Sequence, residues 1–112
     1  MRIGELADRT GVSVRALRYY EEKGALRPRR TPAGYRAFEE QDVFTVHRIQ
    51  DLLAAGLGLD LIAQILSCVT DDAPLLSGCR DRLGQERRRM TADIDRLLQA
   101  RSLLDGMLAS NS

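Results

Sequence analysis

The sequence predicts a mainly α chain: a small helical head carrying a β-turn wing, followed by one long helix. Three observations carry this reading. Apolar residues recur at helical spacing across residues 3–24 and again across 43–66. Between those stretches, residues 25–38 interrupt the spacing with Pro28, Pro32 and Gly34, which make a helix implausible there. From Leu76 onward, Leu76, Leu83, Met90, Leu97 and Leu104 repeat at seven-residue intervals.

Taken in order, Ile3, Leu6 and Ala7 share one face of a first helix, which Thr10-Gly11-Val12 ends. Ser13 is a sound N-cap for a second helix, whose Leu17 and Tyr20 face inward and whose stop is Gly24. Ala7, Gly11 and Leu17 supply the small residue, turn glycine and core aliphatic of a helix-turn-helix. Bulk at position 7 or 11 is expected to keep the two helices from crossing closely. The Arg-, Pro- and Gly-rich residues 25–38 then read as a turn or hairpin wing. Glu39-Glu40-Gln41-Asp42 opens a third helix with acidic residues. That helix carries Val43, Val46, Ile49, Gln50, Leu52 and Leu53 and breaks at Gly56 and Gly58. A fourth, from Leu59 to Leu66, completes a four-helix head.

Asp71-Asp72-Ala73-Pro74 marks a fresh helix start, with aspartates for capping and a proline suited to the first turn. A helix over 75–108 would be roughly 50 Å long. Ile94 and Leu108 fill part of its second heptad position, and Arg87 and Arg101 interrupt it. A rod of that length cannot bury its stripe against so small a head, so a coiled-coil homodimer is expected, through Leu76, Leu83, Met90, Ile94, Leu97, Leu104 and Leu108. The expected domains are 1–70 for the head, 75–108 for the dimerisation helix and 109–112 for a short tail.

Composition narrows the classes. With 44% hydrophobic but only 4% aromatic residues, the core must be aliphatic. No apolar run approaches the ~20 residues of a membrane span and no signal-peptide pattern is present, so a soluble, cytoplasmic protein is expected, with no membrane partner. The net charge of +1 conceals an asymmetry: residues 1–36 balance to +5, residues 37–78 to −6 and residues 79–112 to +2. A basic amino-terminal third is the footprint of a nucleic-acid binder. Sixteen of the seventeen cations are arginine, which suits forked phosphate contacts. No Ser/His/Asp grouping, phosphate-cradling glycine loop or convergent carboxylate pair is legible, so no enzyme activity and no cofactor are expected.

The chemistry concentrates in residues 13–36. A short helix with two arginines and two tyrosines leads into an arginine-rich loop that ends in Tyr35-Arg36. Guanidinium forks beside hydroxyl-tipped rings suit grooves walled by phosphate and floored by base edges, which reads as a duplex-DNA surface.

At this point the pattern resembles the MerR-type transcriptional regulators. Ile3-Gly4-Glu5-Leu6-Ala7, Gly11-Val12-Ser13, Leu17-Arg18-Tyr19-Tyr20-Glu21, Gly24, Pro28, Arg30-Thr31 and Gly34-Tyr35-Arg36 stand in that family's order and spacing. The resemblance implies a winged helix-turn-helix head, an antiparallel coiled-coil homodimer and a double-stranded promoter operator with inverted repeats. It implies DNA binding through Arg15, Arg18, Tyr19 and Tyr20 of the second helix, Tyr20 being the more inward. Arg30, Tyr35 and Arg36 of the wing should grip the backbone, with His47 and Arg48 as further phosphate contacts. Family activators distort the promoter spacer and so act on RNA polymerase indirectly, through the DNA, at a deformation cost of several kcal/mol. A nucleoid-associated location follows.

The chain also departs from the family pattern. Asp105 to Ser112 follow Leu104 without Cys or His, so the cysteine loop of metal-sensing members is not matched and no large effector module is expected. Gly58 stands where a Ser or Thr cap is common. Cys79 lies about where metal sensors keep one thiolate, but a lone thiolate cannot build a soft-metal site. Cys68 and Cys79 are expected to be small buried residues, with a Cys68–Cys79 disulfide or a reactive thiol as the alternative. Two other function classes stay open: an architectural DNA-bending protein that recruits a partner, and a thiol- or metal-responsive sensor acting through Cys79. The operator, the effector and the sign of regulation are not written in the sequence.

Overall fold

Among the residues described by a computed structural model, 1–68 and 77–110, five helices and one two-stranded sheet follow one another. They are α1 (Ile3–Thr10), α2 (Val14–Glu22), β1 (Arg29–Arg30), β2 (Arg36–Ala37), α3 (Glu40–Ala54), α4 (Leu59–Ser67) and α5 (Ser77–Ser110). The chain divides into two units, Met1–Ala73 and Pro74–Ser112. The mainly α class, the helix-turn-helix and the small wing are all present.

In the first unit, α1 ends at Gly11, whose N–H donates to the Ala7 carbonyl at 2.9 Å. Ser13 caps α2, its Oγ accepting the Ala16 N–H at 3.1 Å. The reason for glycine at position 11 differs from the crowding expected of it. A Cβ there would meet no atom within 4 Å, but the backbone sits at φ +73°. The requirement is therefore a left-handed backbone rather than close helix crossing. Gly11→Ala is expected to lower stability by about 1–2 kcal/mol in urea denaturation, with Gly11→Asn recovering part of the loss. An alanine variant of unchanged stability would overturn this account.

Past α2, Gly24 adopts φ +81°, and the N–H groups of Ala25 and Leu26 both reach the Tyr20 carbonyl, at 2.9 and 3.2 Å. This turns Ala25 and Leu26 into the core before the wing begins. The wing is antiparallel, with Arg29 opposite Ala37 and Arg30 opposite Arg36. Its tip is closed by Thr31, whose N–H donates to the Tyr35 carbonyl at 2.8 Å and whose Oγ1 accepts the Tyr35 N–H at 3.1 Å. At the base, Met1 and Phe38 exchange backbone hydrogen bonds of 2.6 and 2.7 Å.

At the start of α3, the Asp42 carboxylate accepts the Glu39 N–H at 2.7 Å, reciprocating the chain reversal there. Burial pushes the Asp42 carboxyl above its ordinary range. In the same turn, Arg9 of α1 grips Glu40 through two bonds of 2.7 Å, and this hydrogen bonding holds the Glu40 carboxyl below its ordinary range. As expected, Gly58 occupies the cap position of α4 and brings no side-chain acceptor. Leu6, Leu17, Leu26, Phe38, Val46, Ile49 and Ile62 meet in the centre, each less than 2% exposed. The core is therefore aliphatic around one phenylalanine.

The second unit is described as one helix. α5 has 34 residues, about 51 Å at the α-helical rise, and its last described turn reaches two residues past the expected end at 108. Leu83 and Met90 are half-buried, whereas Ile94, Leu97, Leu104 and Leu108 are exposed. Ile94, Leu97, Leu98, Arg101 and Leu104 line a shallow groove along the helix. Leu76 and the helix start expected over residues 71–74 lie outside the described residues. No helix among the described residues is long and apolar enough to cross a membrane.

Candidate nucleic-acid interface

α2 is divided by its own periodicity. Leu17 and Tyr20, three residues apart, are buried, while Arg15, Arg18, Tyr19 and Glu22 are exposed. Tyr20, grouped in sequence with the DNA-facing residues, is only 5% exposed, and its hydroxyl accepts a hydrogen bond from Gln50 Nε2 of α3 at 2.5 Å. It supports the helix from beneath, because its spacing from Leu17 puts both on the inner face. Tyr19, one residue earlier, falls about 100° round the helix and stays in solvent.

The Tyr19 ring has a cation beside it. Lys23 Nζ stands 5.9 Å from the ring centroid and 3.4 Å from Asp60 Oδ1 at the start of α4. The bond to Asp60 raises the Lys23 amine above its ordinary range. By contrast, Arg15, Arg18 and Arg48 form no ion pair among the described residues, so their guanidinium groups face water. His47 and Arg48 are both exposed on α3. Arg48 also borders an apolar crevice formed with Leu52, Ile65 and Leu66.

The wing cations are more engaged. Arg36 Nε lies 3.0 Å from Glu21 Oε1 of α2, and Arg29 Nη1 lies 3.1 Å from Glu39. Arg30 donates to the Gly34 carbonyl at 3.3 Å, closing the turn on itself. Tyr35 is exposed, with the Arg2 guanidinium 5.1 Å from its ring centroid. Arg2, Glu21 and Lys23 are thus parts of the surface that sequence reasoning did not pick out. Lys23 could have been found from its four-residue spacing to Tyr19. Arg2 and Glu21 could not, since their partners lie far along the chain and nothing local announces them.

What this surface can do follows from its charges. Its carboxylates Glu21 and Glu39 are tied to wing arginines, while the α2 arginines keep their forks open beside an exposed phenol. Free forks can pair bidentately with phosphate or with the acceptor edge of guanine. Elsewhere, Cys68 and Cys79 are half-buried and neither is a free thiol. No group of three His, Cys, Asp or Glu side chains that could hold a metal ion occurs among the described residues.

The family model described as MerR HTH family regulatory protein matches residues 1–68. The mercuric resistance operon regulatory protein of Bacillus cereus is 41% identical over 81 residues, which are 71% of this chain and 59% of that protein. This chain thus spans less than two thirds of that relative. A solved MerR family transcriptional regulator from Listeria monocytogenes superposes with a TM-score of 0.77 at 25% identity, covering 96% of this chain and 83% of that one. HiNmlR, a MerR family regulator lacking the sensor domain and solved bound to promoter DNA, shares the fold with a TM-score of 0.68 at 24% identity. That match covers 96% of this chain and 86% of the other.

Proposed function

Because the chain belongs to the MerR family of helix-turn-helix regulatory proteins, we propose that it is a sequence-specific transcription regulator that binds an inverted-repeat promoter operator. It acts as a homodimer in the cytoplasm, on the nucleoid, and reaches RNA polymerase only through the DNA that it distorts. It is not an enzyme. The observation that carries this reading is the outer face of α2, where Arg15 and Arg18 are unpaired and Tyr19 is exposed beside them. Arg15, Arg18 and Tyr19 meet the major groove, Arg30, Tyr35 and Arg36 grip the flanking backbone, and His47 and Arg48 add phosphate contacts. The exposed stripe of Ile94, Leu97, Leu104 and Leu108 supports self-association of α5, with Leu83 and Met90 continuing it. The head spans 1–70, and the dimerisation helix runs through Ser110.

Selection of duplexes from random DNA, followed by fluorescence anisotropy against a scrambled duplex across a salt series, tests the proposal. The selected duplex should hold tightly at physiological salt while the scrambled one dissociates. In the same assay Arg18→Ala should lose about 1–3 kcal/mol on the selected duplex and little on the scrambled one. Equal, salt-labile binding of every sequence would replace this reading with an architectural one.

A further inference from the structure

We infer that Glu21, an acidic residue on the proposed DNA-facing helix, is a positioning residue that holds the wing in register with α2 through Arg36. The inference rests on the DNA-binding reading above and deepens it. Among the described residues the Glu21–Arg36 pair is the one ion pair between α2 and the wing. Glu21 is the better anchored partner, its side chain 19% exposed against 46% for Arg36. The wing's strands are two residues each, and its other ties, Arg29 to Glu39, Arg2 to the Tyr35 ring and Met1 to Phe38 at its base, run to segments other than α2.

The chemistry of the pair suits such a role. Glu21 meets Arg36 at Nε, at 3.0 Å. A guanidinium carries five N–H donors in a rigid fork. The pair holds the Arg36 side chain beside α2 while 46% of it stays in solvent, where a phosphate can reach it. A loose arginine on a two-residue strand would have to be ordered on each binding event, at a cost in side-chain entropy.

Charge alone predicts the opposite effect, which makes the inference testable. An acidic group beside phosphates repels them, so its removal should tighten binding to every duplex. Positioning predicts that Glu21→Ala weakens binding roughly tenfold, in the range of couplings between directly paired residues, on selected and scrambled duplexes alike, because Arg36 meets backbone rather than bases. In an Arg36→Ala background the same substitution should add almost nothing. The free protein supplies a readout without DNA: heteronuclear NOE and amide exchange over residues 30–37 should report a more mobile wing in Glu21→Ala. Glu21→Gln, which keeps the side-chain volume, should move both readouts the same way by less, and guards against a folding defect in the alanine variant. Unchanged or tighter binding of the selected duplex by Glu21→Ala would overturn the inference. So would an equal loss in the Arg36→Ala background, or a wing as ordered as in the wild type. If the wild-type chain selects no duplex, the DNA-binding reading fails, and the wing measurement still decides whether Glu21 positions it.

Discussion

Replacing Leu97 and Leu104 together with glutamate is expected to leave the chain monomeric at micromolar concentration and to weaken binding to its selected duplex more than about 100-fold. Both leucines stand in solvent on α5, at 70% and 57% exposure. Fully burying a leucine contributes about 1.5–3 kcal/mol. Four such side chains in a homodimer would therefore contribute about 6–12 kcal/mol, and four buried carboxylates would oppose association instead. A helix draws most of its stability from packing its apolar face, so circular dichroism at 222 nm should fall along with the sedimentation coefficient. Leu103→Glu is the control: it lies next to the heptad position and should leave the dimer intact. An unchanged sedimentation coefficient in the Leu97/Leu104 variant would show that the stripe is not the dimer interface.

Phe38→Ala is expected to remove most of the stability of the head. Phe38 is 1% exposed, is the only aromatic side chain among the fully buried ones, and joins the wing to α3. Truncating a buried phenylalanine to alanine costs about 3–5 kcal/mol. A head of some seventy residues has only about 4–10 kcal/mol in total. The midpoint should fall about 4–8 °C for each kcal/mol lost, leaving a substantial unfolded population at 37 °C. Phe38→Leu, which keeps most of the volume, should cost far less. Thermal unfolding followed by circular dichroism, with dispersion of the head's amide NMR signals as a second probe, checks both. A drop of only a few degrees in Phe38→Ala would mean that the core closes over the gap without it.

The parts of this molecule legible in sequence are those written in short-range patterns. The Ser13 cap, the Gly24 stop and the inward pair Leu17 and Tyr20 follow from spacing within one or two turns, and the structure has each of them. The wing was legible because Pro28, Pro32 and Gly34 exclude helix, and the Gly58 cap position because the third helix had to break before the fourth began. The reason for Gly11 was not legible, since sequence shows that a small residue is wanted without saying whether space or backbone torsion demands it. Inwardness also limits the candidate surface. Tyr19 and Tyr20 are chemically alike; spacing from Leu17 separates the buried ring from the exposed one, but the Gln50 bond to the Tyr20 hydroxyl comes from α3 and has no local signal. The ties at Glu21 and Arg2 were hidden for a simpler reason. They join residues that only the folded chain brings together.

Lys23 is the only lysine in the chain, and its amine lies at the meeting of the Tyr19 ring and Asp60. Apart from the amino terminus, it is therefore the single place where amine-directed reagents can act on this protein. Because Asp60 keeps that amine protonated above its ordinary range, acylation there should run slowly at neutral pH and quicken as the medium becomes alkaline. Once attached, an acyl group would neutralise the cation, release Asp60 and strip the ring of its neighbour in one event. The surrounding arginines would be untouched, so with the amino terminus blocked an amine-reactive dye would report on the end of α2 at a known address.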